Sequence, residues 1–101
     1  ATVRLMDAAA LQAAAEVLAD SLQAAPDGPP TVAVYARTPL RCRSRRLLVQ
    51  PMPDDAAATA QELFAVLRDL DERGVRLIWV ETPPDTPAWE GVRDRLQRAA
   101  A

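Results

Sequence analysis

The sequence predicts a small three-layer α/β domain, a mostly parallel sheet of about four strands flanked by three helices. Two long segments, 8–25 and 54–73, place apolar residues at helical spacing with polar residues opposite. Short β-branched runs bounded by proline or glycine lie around them. A third run, Val75, Leu77, Ile78, Trp79 and Val80, is nearly continuously apolar, interrupted by Arg76, as expected of a strand covered on both faces inside a parallel sheet. Strands alternating with helices of this length pack the helices onto the sheet through right-handed crossovers.

Taken in order, Thr2 to Met6 reads as a short strand, and Asp7 is placed to cap the helix that follows. In that helix Leu11, Ala14, Ala15, Leu18 and Leu22 form the inner face, with Gln12, Glu16, Asp20 and Gln23 outside. Pro26, Asp27, Gly28, Pro29 and Pro30 end it in a rigid loop. Thr31 to Ala36 and the run Leu47, Leu48 and Val49, ending at Pro51, read as the second and third strands. The join between them, 38–46, is shorter than the dozen residues usual for a parallel crossover, so a hairpin is possible there. Ala60, Leu63, Phe64, Leu67 and Leu70 form one face of the second helix, and Gly74 is placed to close it. Thr86 is positioned as an N-cap with Pro87 in the first turn of the last helix. There Trp89, Val92 and Leu96 face inward, while Asp94 and Arg98 are spaced for an ion pair. The order βαβ, β, αβα is Rossmann-like.

At 101 residues the chain suits one domain with one modest core. Half of its residues are apolar and the net charge is −2, a balance that favours folding over disorder. No apolar run approaches the roughly 18 residues of a membrane span, and Ala1 to Asp7 lacks a signal-peptide pattern, so a cytoplasmic setting is expected. Cys42 is the only cysteine and histidine is absent, which removes the usual donors for zinc or haem. All twelve basic residues are arginine, which coding bias toward GC-rich codons accounts for.

Few residues are equipped for chemistry. Gly28, Gly74 and Gly91 form neither GxGxxG nor a Walker loop, and the helix starts carry Asp7, Asp54 with Asp55, and Asp85, which repel phosphate. Ser21 and Ser44 have no histidine to act as base, and Cys42 lies among arginines without a general-base partner. No catalytic residue and no metal ligand is therefore assigned. Glu81, at the carboxyl end of the best strand, is placed either to take a cation or a partner's arginine or simply to end the strand in solvent. Arg37, Arg41, Arg43, Arg45 and Arg46 form the densest charge feature. Positions 41, 43 and 45 share a face if extended, so Arg41, Arg43, Arg45 and Arg46 are candidates for contact with phosphates of a nucleic-acid backbone, set against a solvated loop. Trp79 and Trp89 are read as core rather than as a base-stacking platform.

Three stretches carry a resemblance: 60–74 (AQELFAVLRDLDERG), 77–81 (LIWVE) and 94–100 (DRLQRAA). Their order and spacing resemble the carboxy-terminal domain of long-form L-threonylcarbamoyladenylate synthases, and Val3 to Leu11 is similar to the strand and helix that open that domain. The chain departs from the family pattern at Asp94 (usually asparagine), at Pro87-Ala88-Trp89 (often a glycine-containing turn) and at Thr59 (frequently tyrosine). The resemblance implies a parent enzyme that condenses threonine, bicarbonate and ATP, with Mg, into threonylcarbamoyl-AMP for tRNA threonylcarbamoyladenosine modification. It assigns catalysis to an amino-terminal YrdC-like domain whose motif contains lysine, a residue this chain lacks. It also implies that residues 1–101 are a single accessory domain excised from the longer chain. That domain is expected to dock on the catalytic domain, hold the interdomain linker as a lid, and assist with tRNA or other tRNA-modification proteins. An autonomous arginine-rich RNA-binding module is the alternative.

Overall fold

The computed structural model describes residues 1–22, 28–41 and 46–101. Four strands, β1 (Thr2–Met6), β2 (Val32–Ala36), β3 (Leu47–Pro51) and β4 (Leu77–Glu81), form one sheet in the order β1-β4-β2-β3. Every pairing is parallel, in registers that align Val3 with Ile78, Ala33 with Ile78, and Ala33 with Leu48. Three helices complete the fold: α1 (Ala8–Leu22), α2 (Ala56–Glu72) and α3 (Glu90–Ala100), the last entered through a 3₁₀ turn at Pro87–Trp89. The fold is thus the predicted three-layer α/β arrangement.

The chain runs outward from β1 across β4 to β2 and β3, then returns through α2 to β4. Right-handed crossovers in opposite directions put their helices on opposite faces of the sheet. Accordingly α1 packs against Val32, Val34, Ala36 and Leu47, while α2 and α3 cover Val3, Ala33, Tyr35, Ile78 and Val80. Alternation along each strand separates the two sets.

The third strand settles the open question of the hairpin: β3 is parallel to β2, so the join is a crossover. Leu40, at the start of this join, packs with the α1-side cluster. The helix ends agree with their chemistry. Asp7 accepts a hydrogen bond from the Ala10 amide at 2.7 Å, and Asp55 one from the Ala58 amide at 2.9 Å. The second helix therefore starts at Ala56 rather than 54, with Asp55 as its cap. Gly74 has φ +85°, and a side chain there would meet nothing within 4 Å, so its requirement is conformational rather than steric.

Thr86 occupies the N-cap position with Pro87 first after it, as expected, although Thr86 makes no side-chain cap bond and the first turn is 3₁₀. Three expectations are corrected. Phe64, placed on the inner face by spacing, is 55% exposed, because the buried stripe of α2 runs through Thr59, Leu63 and Leu70. Trp79 is only half-buried, whereas Trp89 is core. β4 is fully buried at Ile78, Val80 and Glu81 but not at Leu77 and Trp79, so its α1-side face is less completely covered than its continuous apolar sequence suggested. The predicted end of the first helix and Pro26 and Asp27 lie outside the described residues.

Candidate functional site

The connections leaving β2 and β4 diverge at their carboxyl ends, one leading to β3 and the other to α3, which packs beside β1. Parallel sheets bind ligands in the crevice such a divergence opens. Here the crevice is filled from within. Glu81, 6% exposed, accepts the backbone amides of Arg37 at 3.1 Å and Thr38 at 2.8 Å through Oε1. Its Oε2 accepts Arg37 Nη2 at 2.6 Å and the Thr38 hydroxyl at 3.1 Å. Four donors on one carboxylate satisfy it almost completely, as a buried charge requires.

Arg37 is held equally well. Its Nη2 also donates to the Thr82 carbonyl at 3.1 Å, and its Nη1 approaches Met52 Sδ at 3.4 Å. The guanidinium carbon lies 5.2 Å from the centre of the Trp89 ring, within cation–π range. One ion pair therefore joins the ends of β2 and β4 to the turn that opens α3. Sequence reasoning singled out Glu81 and grouped Arg37 with the other arginines; the pairing has no local signature, since 44 residues separate the partners.

Beside this clasp an open groove of ≈ 920 Å³ runs between the loop after β4 and the start of α3. Asp85, Glu90 and Asp94 line it, and its one arginine, Arg93, is ion-paired with Asp85. That charge pattern opposes a phosphate ligand. Among the described residues no group of three or more histidine, cysteine, aspartate or glutamate side chains is arranged to hold a metal.

The arginine segment is not gathered into one patch at its described ends. Arg41 is exposed near the carboxyl ends of the strands, where its backbone exchanges hydrogen bonds with the Gln12 side chain of α1 at 3.1 and 3.3 Å. Arg46 precedes β3 at the opposite end of the sheet, with its Nε directed at the Pro29 carbonyl at 3.4 Å. Parallel pairing of β2 and β3 forces this separation, because the join must travel the length of a strand. Arg43 and Arg45, together with Cys42 and Ser44, lie outside the described residues.

The three departures from the family pattern each have a structural place. Thr59 is fully buried, and its hydroxyl donates within reach of the Pro53 and Asp55 carbonyls at 3.1 and 2.9 Å. Trp89 is the ring that faces Arg37. Asp94 pairs with Arg98 at 3.2 Å, as its spacing predicted.

One buried polar group is less well served. Tyr35 has no solvent exposure, and among the described residues no group meets hydrogen-bond geometry at its hydroxyl, although Glu62 lies near enough to act on it. Burial first, and the nearby negative charge of Glu62 second, push its pKa well above the ordinary tyrosine value.

No helix among the described residues is long and apolar enough to cross a membrane. Neither a curated protein nor a solved structure matches the chain. A family model does, over residues 1–101, and its description is the threonylcarbamoyl-AMP synthase C-terminal domain. The parallel α/β fold and the three motif stretches agree with that match, and the chain belongs to the carboxy-terminal domain family of the threonylcarbamoyl-AMP synthases, proteins of tRNA modification.

Proposed function

We propose that residues 1–101 act as a non-catalytic accessory domain, which docks on the YrdC-like catalytic domain of the same polypeptide and holds the interdomain linker as a lid over its active site. The observation that carries this reading is the self-filled crevice. Where a parallel α/β domain ordinarily takes a ligand, Glu81 and Arg37 take each other, and Trp89 backs the pair. Such a junction makes a stiff anchor. A lid held on a stiff anchor contributes gating, excluding water and retaining a reactive intermediate, rather than chemistry. On this reading ATP, threonine, bicarbonate and Mg are handled by the catalytic domain, Glu81 serves internally, and Arg41, Arg43, Arg45 and Arg46 supply at most transient attraction to tRNA in a cytoplasmic enzyme.

Threonylcarbamoyl-AMP formation by the full-length synthase is to be compared with that of residues 1–101 alone and of the catalytic domain alone. The expected pattern is no synthesis by residues 1–101, full synthesis by the intact chain, and reduced synthesis or increased loss of the intermediate without the accessory domain. Measurable synthesis by residues 1–101 would overturn the proposal. So would an ATP-dependent rise in their melting temperature, since a ligand that binds only the native state stabilises it by mass action. The RNA-module alternative has its own signature. Saturable low-micromolar binding of labelled tRNA at about 0.15 M salt, abolished by replacing the four arginines with serine, establishes autonomous phosphate recognition.

A further inference from the structure

The two faces of the sheet are covered unequally. Among the described residues two helices close one face, whereas α1 is the one helix on the other, where Leu77 and Trp79 stay half-buried. Along this margin lies a shallow groove of ≈ 440 Å³ lined by Ala13, Ala14, Val17, Leu18 and Ser21 of α1 and by Trp79 of β4. Five of those six residues are apolar, and Val17 is 68% exposed. A lone exposed valine needs no explanation, but an apolar groove floored by an indole has the shape and chemistry to receive an apolar side chain from a partner.

Its position and size indicate what covers it. α1 leaves the carboxyl end of β1 and must return to the amino end of the sheet to reach β2, so Val17, Leu18 and Ser21 lie toward the end at which β1 begins. In a carboxy-terminal domain of a larger synthase, the rest of the polypeptide joins ahead of β1. The groove thus opens toward the end from which that polypeptide arrives. Free-standing interfaces use about 20–30 residues a side, far more than this groove offers, so it is too small to hold a second copy from dilute solution. A tethered partner needs much less, because the connection supplies an effective concentration on the order of millimolar. We infer that the groove between α1 and Trp79 is the surface on which the catalytic domain of the same polypeptide docks. This rests on the accessory-domain reading and adds to it the place of contact.

Among the described residues three large apolar side chains are exposed, on three separate elements: Val17 on α1, Val49 on β3 and Phe64 on α2. Each is to be replaced in turn by a photo-crosslinking phenylalanine in the full-length synthase, and the products mapped by mass spectrometry. The expected result is a crosslink from position 17 to the catalytic domain within one polypeptide, lost when the exposed neighbour Ala13 is changed to glutamate (Ala13→Glu) with the melting temperature unaltered. A crosslink from 17 to a second polypeptide, or to the linker alone, overturns the inference. Crosslinks to the catalytic domain from 49 or 64, with 17 silent, also overturn it while leaving the docking reading standing. Silence at all three positions removes both.

Discussion

The α2/α3 face and the α1 face belong to the same sheet, yet they end in different states. On the first, Leu63, Leu70, Val92 and Leu96 close over Ala33, Tyr35, Ile78 and Val80, and the turn at Trp89 seals the carboxyl end. On the second, α1 offers mostly alanine, buries Leu11, Ala15 and Ala19, and leaves Val17 in solvent and Trp79 half-covered. Small side chains let the helix sit close to the strands but cannot reach sideways over a four-stranded sheet. The comparison teaches that one face carries the stability of the domain while the other keeps apolar surface available for contact.

The largest effect is expected where the elements are tied together. Glu81→Ala strands the Arg37 guanidinium and removes the acceptor of two backbone amides, and breaking a buried pair in this way costs about 3–5 kcal/mol. Urea unfolding followed by circular dichroism reads that loss directly. A cost below about 1 kcal/mol, the range of solvent-exposed pairs, would mean that the clasp is dispensable.

Next comes the contrast between the faces themselves. Leu63→Ala empties a fully buried position and is expected to cost about 2–5 kcal/mol. Val17→Ala, on the exposed side, should stay within about 0.5 kcal/mol in the isolated domain. If the two substitutions cost the same under identical unfolding conditions, the division into a stabilising face and a contact face fails.

A smaller effect is expected at the closing turn of α2. Gly74→Ala forces a β-carbon into the left-handed region, for a loss of about 1 kcal/mol, with no clash to add to it. Thermal unfolding that shows no drop in Tm would place the glycine's role elsewhere.

The smallest concerns Tyr35 and carries a pH signature. Its hydroxyl is buried with no partner in hydrogen-bond geometry among the described residues, so Tyr35→Phe should leave neutral-pH stability unchanged or raise it by up to about 1 kcal/mol. Because the folded-state pKa is raised, the native protein keeps a proton that the unfolded chain releases from about pH 10 upward. Wild-type stability is therefore present in full below that pH and is lost as pH rises toward the folded pKa, a loss the phenylalanine variant should partly escape. Parallel alkaline unfolding curves for the two proteins would remove Tyr35 as its source.

Much of this was legible before any coordinates. The apolar spacing of α2, the cap at Asp7 and the ion pair of Asp94 with Arg98 depend on residues within four positions of one another, and local chemistry specifies them. Phe64 was misplaced because the spacing that marks Leu63 and Leu70 also admits a neighbour at the edge of the stripe, and only the packing partner decides where the stripe ends.

Sequence alone determined the class of fold, the family and the order and approximate place of the strands and helices, since each rests on periodicity, capping and a motif order readable along the chain. Tertiary structure decided three things. It made the 37–46 join a parallel crossover and so parted Arg41 from Arg46, it gave Glu81 to Arg37 across 44 residues, and it left Trp79 half-covered beneath α1. All three depend on strand order, and strand order emerges only when helices choose their faces of the sheet, a choice made by the direction of each crossover rather than by any single stretch of residues.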